Sequence, residues 1–118
     1  MSLLEYIAPD VRFVTTNLGQ IINQMAHEKG FYTPGVERNF GEIIALIHSE
    51  LSEALEGYRH GNPKSDHIPE FSAIEEELAD AVIRILDTAF EMKLRLAEAI
   101  IAKIEFNATR PYKHGKKC

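Results

Sequence analysis

Two stretches constrain this chain more than any others: Ile43–Tyr58, IIALIHSELSEALEGY, and Ile74–Phe90, IEEELADAVIRILDTAF. Each has the apolar spacing of an amphipathic helix. Each also carries two acids three residues apart, Glu50 and Glu53 in the first, Glu77 and Asp80 in the second. Residues at i and i+3 are neighbours on a helix surface, with Cβ atoms roughly 5–6 Å apart. If the two helices bury their apolar faces against each other, four carboxylates are brought toward one point.

The helical phase sharpens this expectation. At about 100° per residue from Glu50, Ile43 and Ala54 fall within roughly 40°, and Ile47, Leu51 and Tyr58 within roughly 100°. Glu50 therefore lies inside the apolar stripe, and Glu53 on its edge. In the second stretch Ile74, Leu78, Ala81 and Ile85 form the stripe, with Glu77 flanking it and Asp80 one step further out. Acids at helical spacing ordinarily form a solvated face; Glu50 departs from that pattern. Carboxylates gathered out of water repel one another, so the group requires a cation or bound protons. Oxygen-only donors suit a hard ion, Mg²⁺ first, with Mn²⁺ as an alternative and Ca²⁺ less natural.

A chain of 118 residues is expected to form one domain, burying about two thirds of the surface its unfolded form exposes. No apolar run approaches the roughly 18–20 residues of a membrane span. The start, MSLLEYIAPD, has neither the basic nor the long apolar segment of a signal peptide. The single cysteine, Cys118, excludes an intrachain disulfide, and zinc-type clusters are absent, so a cytoplasmic location is expected. The net charge of −5 argues against a nucleic-acid binder, which would carry a basic footprint. Charge is uneven, however: Lys103, Arg110, Lys113, Lys116 and Lys117 face one acid, Glu105, in the last segment. Such an end either binds phosphate or merely keeps the chain soluble.

Residues 1–10 read as a lead-in, with Pro9 and Asp10 as a helix start. Phe13, Val14, Leu18, Ile21, Ile22 and Met25 then give a helix from Val11 to about Lys29, closed by Gly30. Phe31-Tyr32-Thr33-Pro34-Gly35 is a loop whose aromatic rings either pad the core, the favoured reading, or stack on a base. A second helix runs from about Asn39, its N-cap, to Arg59. Gly57 lies one turn beyond Glu53 on the acid face and either makes room there or marks fraying before Gly61. His60–Pro69 is a polar connector. The third helix begins near Phe71 or Ser72, with Ser72 and Glu75 as a capping box, and ends near Met92. A fourth runs from about Leu94 to Asn107, with Leu96, Ile100, Ile101 and Ile104 inward; Pro111 and Gly115 end the order. The expected fold is all-α, an antiparallel four-helix bundle. Its core is small for four helices, so self-association as a homodimer or homotetramer is expected.

The acids exclude some chemistries. A di-iron bundle needs Glu-x-x-His on two helices, and none of the five histidines follows a Glu at that spacing. There is no GxSxG, no P-loop and no GxGxxG, so phosphate must be held by metal and side chains. Lys103, Asn107 and Arg110, at i, i+4 and i+7, share one face of the last helix and suit phosphate oxygens. Arg84, one turn beyond Asp80, either contacts phosphate or pairs with Asp80. His48 lies away from Glu50 and reads as a surface or structural histidine.

ELSE at 50–53, EELAD at 76–80 and KIEFNATRPYKHGKK at 103–117 together resemble the MazG-like family of all-α nucleoside triphosphate pyrophosphohydrolases, over roughly residues 12–117. The family pattern is EExxE followed by ExxD; Ser49 stands here in place of the first Glu. The resemblance implies that Glu50, Glu53, Glu77 and Asp80 bind Mg²⁺ and that the protomers are four-helix bundles assembled as dimers or dimers of dimers. It also implies hydrolysis between the α- and β-phosphates to a nucleoside monophosphate and pyrophosphate. Glu50 and Glu53 are the candidate general bases, with Glu53 preferred. Lys103, Arg110 and Lys113 would hold the phosphates, and Asn107 a phosphate or the sugar. Asn39 reads as a cap, or as a base contact. Two alternatives stand beside this: a pyrophosphohydrolase of another nucleotide such as phosphoribosyl-ATP, and a non-catalytic helical interaction module.

Overall fold

The computed structural model describes residues 1–111 and contains four helices in chain order, α1 (Leu3–Glu28), α2 (Phe40–Arg59), α3 (Ala73–Glu91) and α4 (Leu96–Ala108). No strand occurs among the described residues; one isolated antiparallel bridge joins Lys64 and Ser72. The architecture is the expected all-α four-helix bundle.

The start of α1 differs from expectation. The helix begins at Leu3, Ser2 caps it by accepting from the Glu5 amide at 3.0 Å, and Pro9 lies inside. Ser2 and Glu5 have the S-x-x-E spacing of a capping box, a signal the sequence reading passed over in favour of Pro9. Proline this near an N-terminus removes one backbone hydrogen bond without ending the helix.

The other boundaries follow local chemistry. Asn39 Oδ1 accepts from the Glu42 amide at 3.0 Å and starts α2. Ser72 and Glu75 form the reciprocal capping box of α3. Asn62, in the left-handed region at φ 51°, places its Oδ1 3.0 Å from the Ile74 amide, so the connector caps the same helix a second time.

α3 is the shared element: it packs against α2 on one side and α1 on the other, while α4 packs on α1. Gly57 of α2 meets Ala73 of α3, and Glu50 meets Arg84, so these two helices run antiparallel. Gly57 thus makes room for the start of α3: an added Cβ would lie 3.1 Å from that of Ala73. In α1, Gly19 lies against Leu86 and Phe90, and Asn23 against Asp87 and Glu91, so α1 and α3 run parallel. A Cβ on Gly19 would stand 3.2 Å from the Leu86 carbonyl oxygen, so this crossing is a backbone-level approach.

The core is thin. Ile43, Ile47, Ala81, Leu86, Ala89, Ala97 and Ile101 are buried, yet no large side chain is completely enclosed. Of the α4 residues expected to face inward, Ile101 is buried but Ile100 and Ile104 are exposed; on α3, Leu78 and Ile85 are exposed beside buried Ala81. Phe13, Val14, Leu18, Ile21 and Met25 of α1 are exposed as well. Each helix is apolar over a wider arc than one protomer covers. The accessible surface is 9141 Å², against about 6,500 Å² for a compact monomer of this mass.

Because the α1–α3 crossing depends on a missing side chain, Gly19→Val should lower the unfolding free energy by about 1–3 kcal/mol, read from urea denaturation. An unchanged midpoint would show that the crossing is looser than described.

Candidate functional site

The α2–α3 register sets the site. With Gly57 level with Ala73, Glu50 comes level with Asp80 across the antiparallel pair, and Glu53 level with Glu77. Glu50, Glu77 and Asp80 each offer a carboxylate oxygen, and these three oxygens lie within 4.8 Å of one another. All three residues are partly buried. Arg84 closes the group on one side: its Nε donates to Glu50 Oε1 at 3.3 Å. The ion pair expected for Arg84 is therefore made across helices, with Glu50 rather than Asp80, although its charge offsets part of the rise in the Asp80 pKa.

One cation among three acids leaves the cluster short of positive charge. Glu77 responds most: its pKa is pushed up to about 7, by desolvation first and then by the Glu50 carboxyl beside it. Asp80 is raised too, by desolvation and by the charges of Glu50 and Glu76. Three convergent carboxylate oxygens from two helices, short of cation, fit a hard divalent ion. Mg²⁺ or Mn²⁺ matches this donor set.

Glu53, expected as the fourth ligand, does not join the trio. It is exposed at the level of Glu77. Directing another carboxylate toward three acids already converging costs electrostatic energy, and solvent is one turn away. Ser49 donates to the Leu46 carbonyl at 2.6 Å and is occupied within its own helix. His48 is exposed, as expected. Glu76 is occupied elsewhere: Ser65 Oγ donates to one of its oxygens, and His67 Nδ1 lies 2.8 Å from the other. Those contacts lower the Glu76 pKa, and the carboxylate raises that of His67. They tie the connector to α3.

A cavity of about 400 Å³ opens beside the acids. Glu50, Asp80, Arg84 and Asp87 line it from α2 and α3, and Ile22, Met25 and Lys29 from α1. Phe31 and Arg38 line it from the segment between α1 and α2. Phe31 is 63% exposed, so of the two roles open to it in the sequence, padding the core is not the one the fold uses. Tyr32 behaves differently: its hydroxyl donates to Asp87 Oδ2 at 2.8 Å, and its ring stacks on His27 with centroids 4.3 Å apart. Burial, then the bond to Asp87, pushes the Tyr32 pKa up to about 12. Behind it Asn23 donates to Asp87 Oδ1 at 2.9 Å and to Glu91 Oε1 at 3.0 Å, while His27 Nε2 lies 2.6 Å from Glu91.

The sequence reading missed this second polar cluster. Asp80, Asp87 and Glu91 fall on one face of α3 at i, i+7 and i+11, and Asn23 interrupts the apolar stripe of α1. Following the phase of Asp80 two turns further would have found it. The basic residues expected to hold phosphate sit elsewhere. Lys103 Nζ and Arg110 Cζ lie 4.6 and 5.3 Å from the Phe106 ring centroid, Asn107 is exposed, and none of the three lines the cavity. The reason is that α4 packs on α1 and not on the acid-bearing pair. Lys113 lies outside the described residues.

An acid whose folded-state pKa lies above its ordinary 4.5 holds a proton that the unfolded chain gives up. Glu77 therefore favours the metal-free fold below that value and does so progressively less as pH rises toward 7. A divalent ion displaces the same proton. At pH 7, Mg²⁺ or Mn²⁺ titrations in buffers of different ionisation enthalpy should show proton release, abolished in Glu77→Gln. Equal heats in all buffers would contradict the assignment. Compared with known proteins, the chain matches no family model, no curated protein and no solved structure, so a functional reading rests on the chemistry of the site itself.

Proposed function

We propose that the protein is a Mg²⁺-dependent nucleotide pyrophosphohydrolase of the MazG-like type, cleaving a nucleoside triphosphate between its α- and β-phosphates. The observation that carries this reading is the convergence of Glu50, Glu77 and Asp80 at the edge of a cavity with apolar walls and cationic side chains. Bound at the trio, the ion would supply positive charge for phosphate oxygens and lower the pKa of water.

The chain's own residues do the rest. Glu50, Glu77 and Asp80 hold the ion, and Arg84, lining the cavity, is placed to pass from Glu50 to a phosphate oxygen once an ion neutralises that carboxylate. A water oxygen attacks the α-phosphorus, and the bond from that phosphorus to the α,β-bridging oxygen breaks. Pyrophosphate leaves with the electron pair, and a carboxylate takes the proton of the water. Glu53, outside the trio and level with Glu77, is the acid free for that task. Lys103, Asn107 and Arg110 are not needed for phosphate contact within one copy, because Arg84 lines the cavity beside the trio.

The same reading includes self-association. Leu18 and Ile21 of α1, Leu78, Val82 and Ile85 of α3, and Ile100 and Ile104 of α4 are exposed apolar side chains, the kind of surface that obligate interfaces cover. Light scattering coupled to gel filtration should give two or four times the 13.3 kDa protomer mass; a monodisperse monomer would remove this part.

The activity is tested by incubating the purified protein with NTPs and dNTPs, with and without Mg²⁺, and resolving the products. Monophosphate and pyrophosphate are expected, with kcat reduced by about 10²–10⁴ in Glu50→Gln, Glu53→Gln or Asp80→Asn. Diphosphate and inorganic phosphate would move the cleavage site. Turnover of phosphoribosyl-ATP alone would keep the chemistry and change the substrate. Inertness toward every nucleotide with either metal would leave a helical interaction module.

A further inference from the structure

The cavity has two ends, and only one of them suits phosphate. Asp80 and Asp87 are seven residues apart on α3, two turns along nearly the same face, or about 10 Å along the axis. That separation is the reach of a nucleotide from its α-phosphate to the far edge of its base. At the Asp87 end the wall carries a carboxylate in a residue only 9% exposed. Among the described residues no Lys, Arg or His forms an ion pair with it.

Each Asp87 oxygen accepts one hydrogen bond, Oδ1 from Asn23 at 2.9 Å and Oδ2 from Tyr32 at 2.8 Å. A carboxylate has about four acceptor positions, so two stay open in a side chain that lines the cavity. Both oxygens have a partner, and the acceptor capacity that remains suits a ligand that brings a donor. Three observations narrow that donor. Phosphate is repelled by the carboxylate. A cationic ligand is disfavoured by Lys29 and Arg38, which line the same cavity. Ile22, Met25, Phe31 and Ile83 supply apolar surface that suits a flat neutral ring, with the exposed Phe31 ring available for stacking.

We propose that Asp87 is a specificity-determining residue that accepts a hydrogen bond from an exocyclic amino group of the base. The substrates are then cytosine or adenine nucleotides in preference to their oxo counterparts. This inference rests on the pyrophosphohydrolase reading above and names its substrate class. Asn23 and Tyr32 act as positioning residues, each donating to one oxygen of a carboxylate whose residue lines the cavity. A uracil or hypoxanthine ring would present at that position a carbonyl oxygen, which cannot donate to the remaining Asp87 lone pairs and is repelled by them. Sites built to hydrogen-bond one substrate group reject the analogue lacking it far more strongly than apolar pockets reject a change of size.

The decisive comparison uses pairs that differ only at that position. Wild-type kcat/KM in Mg²⁺ is measured for CTP against UTP and for ATP against ITP. The amino member should be preferred by at least about tenfold in one pair. In Asp87→Asn, whose amide can turn its NH₂ toward a carbonyl, the preference should collapse or invert, with helical content and melting checked by circular dichroism. If that variant fails to fold, the wild-type ratios decide alone. Equal or faster turnover of the oxo member in both pairs overturns the inference, as does an unchanged ratio in folded Asp87→Asn. Hydrolysis without base preference removes Asp87's role and keeps the enzyme; no hydrolysis of any nucleotide removes the enzyme reading, and the inference with it.

Discussion

The antiparallel contact between α2 and α3 is the constraint on which the rest of the molecule depends. It places Glu50 opposite Asp80 and Arg84 and brings three carboxylate oxygens within 4.8 Å. Like charges at that spacing oppose the packing that creates it. The fold answers with one guanidinium, from Arg84, and with a proton on Glu77, whose pKa of about 7 records what remains uncompensated. Such a cluster is a poor way to hold two helices together. It stands beside a cavity that Glu50 and Asp80 line, and that placement is what the proposed cation site is drawn from.

α3 links this cluster to a second one. Along one face it carries Glu77, Asp80, Arg84, Asp87 and Glu91, so the acids that suit a metal and those held by Asn23, Tyr32 and His27 share one rigid element. The two differ in how charge is satisfied. Around Asp87 and Glu91, neutral donors and one histidine bond the carboxylates. Around Glu50, Glu77 and Asp80, carboxyls face one another. The first arrangement positions a loop and a wall; the second lacks positive charge. α1 joins them through its close crossing at Gly19, and the segment after it completes the cavity with Phe31 and Arg38.

Much of this was legible in the chain, and the failures have physical causes. The helix boundaries at Asn39 and Ser72 are local hydrogen-bonding chemistry and could be read directly; the one at Ser2 was equally readable but was overridden by Pro9. The anomalous phase of Glu50 pointed to the acid cluster correctly. Spacing alone, however, could not tell that Glu53 turns to solvent, because that outcome depends on repulsion from groups on another helix. Arg84 was placed beside Asp80 by proximity along the chain, and tertiary packing gave it to Glu50 instead. The basic residues of α4 looked suited to phosphate, yet α4 packs on α1 and leaves them stacked on Phe106.

By itself, then, the order of residues determined the helical class, the caps, and the set of acids from which any site would be drawn, since these follow from period, propensity and contacts within a few residues. Only the tertiary structure decided which acids meet, which guanidinium pairs with them, and that Asp87, held by Asn23 and Tyr32, lines the far end of the cavity. Those outcomes are set by the register and crossing of α1, α2 and α3. Register is fixed by where backbones can approach, at Gly19 and Gly57, and a glycine in a sequence does not say which helix will fill the space it leaves.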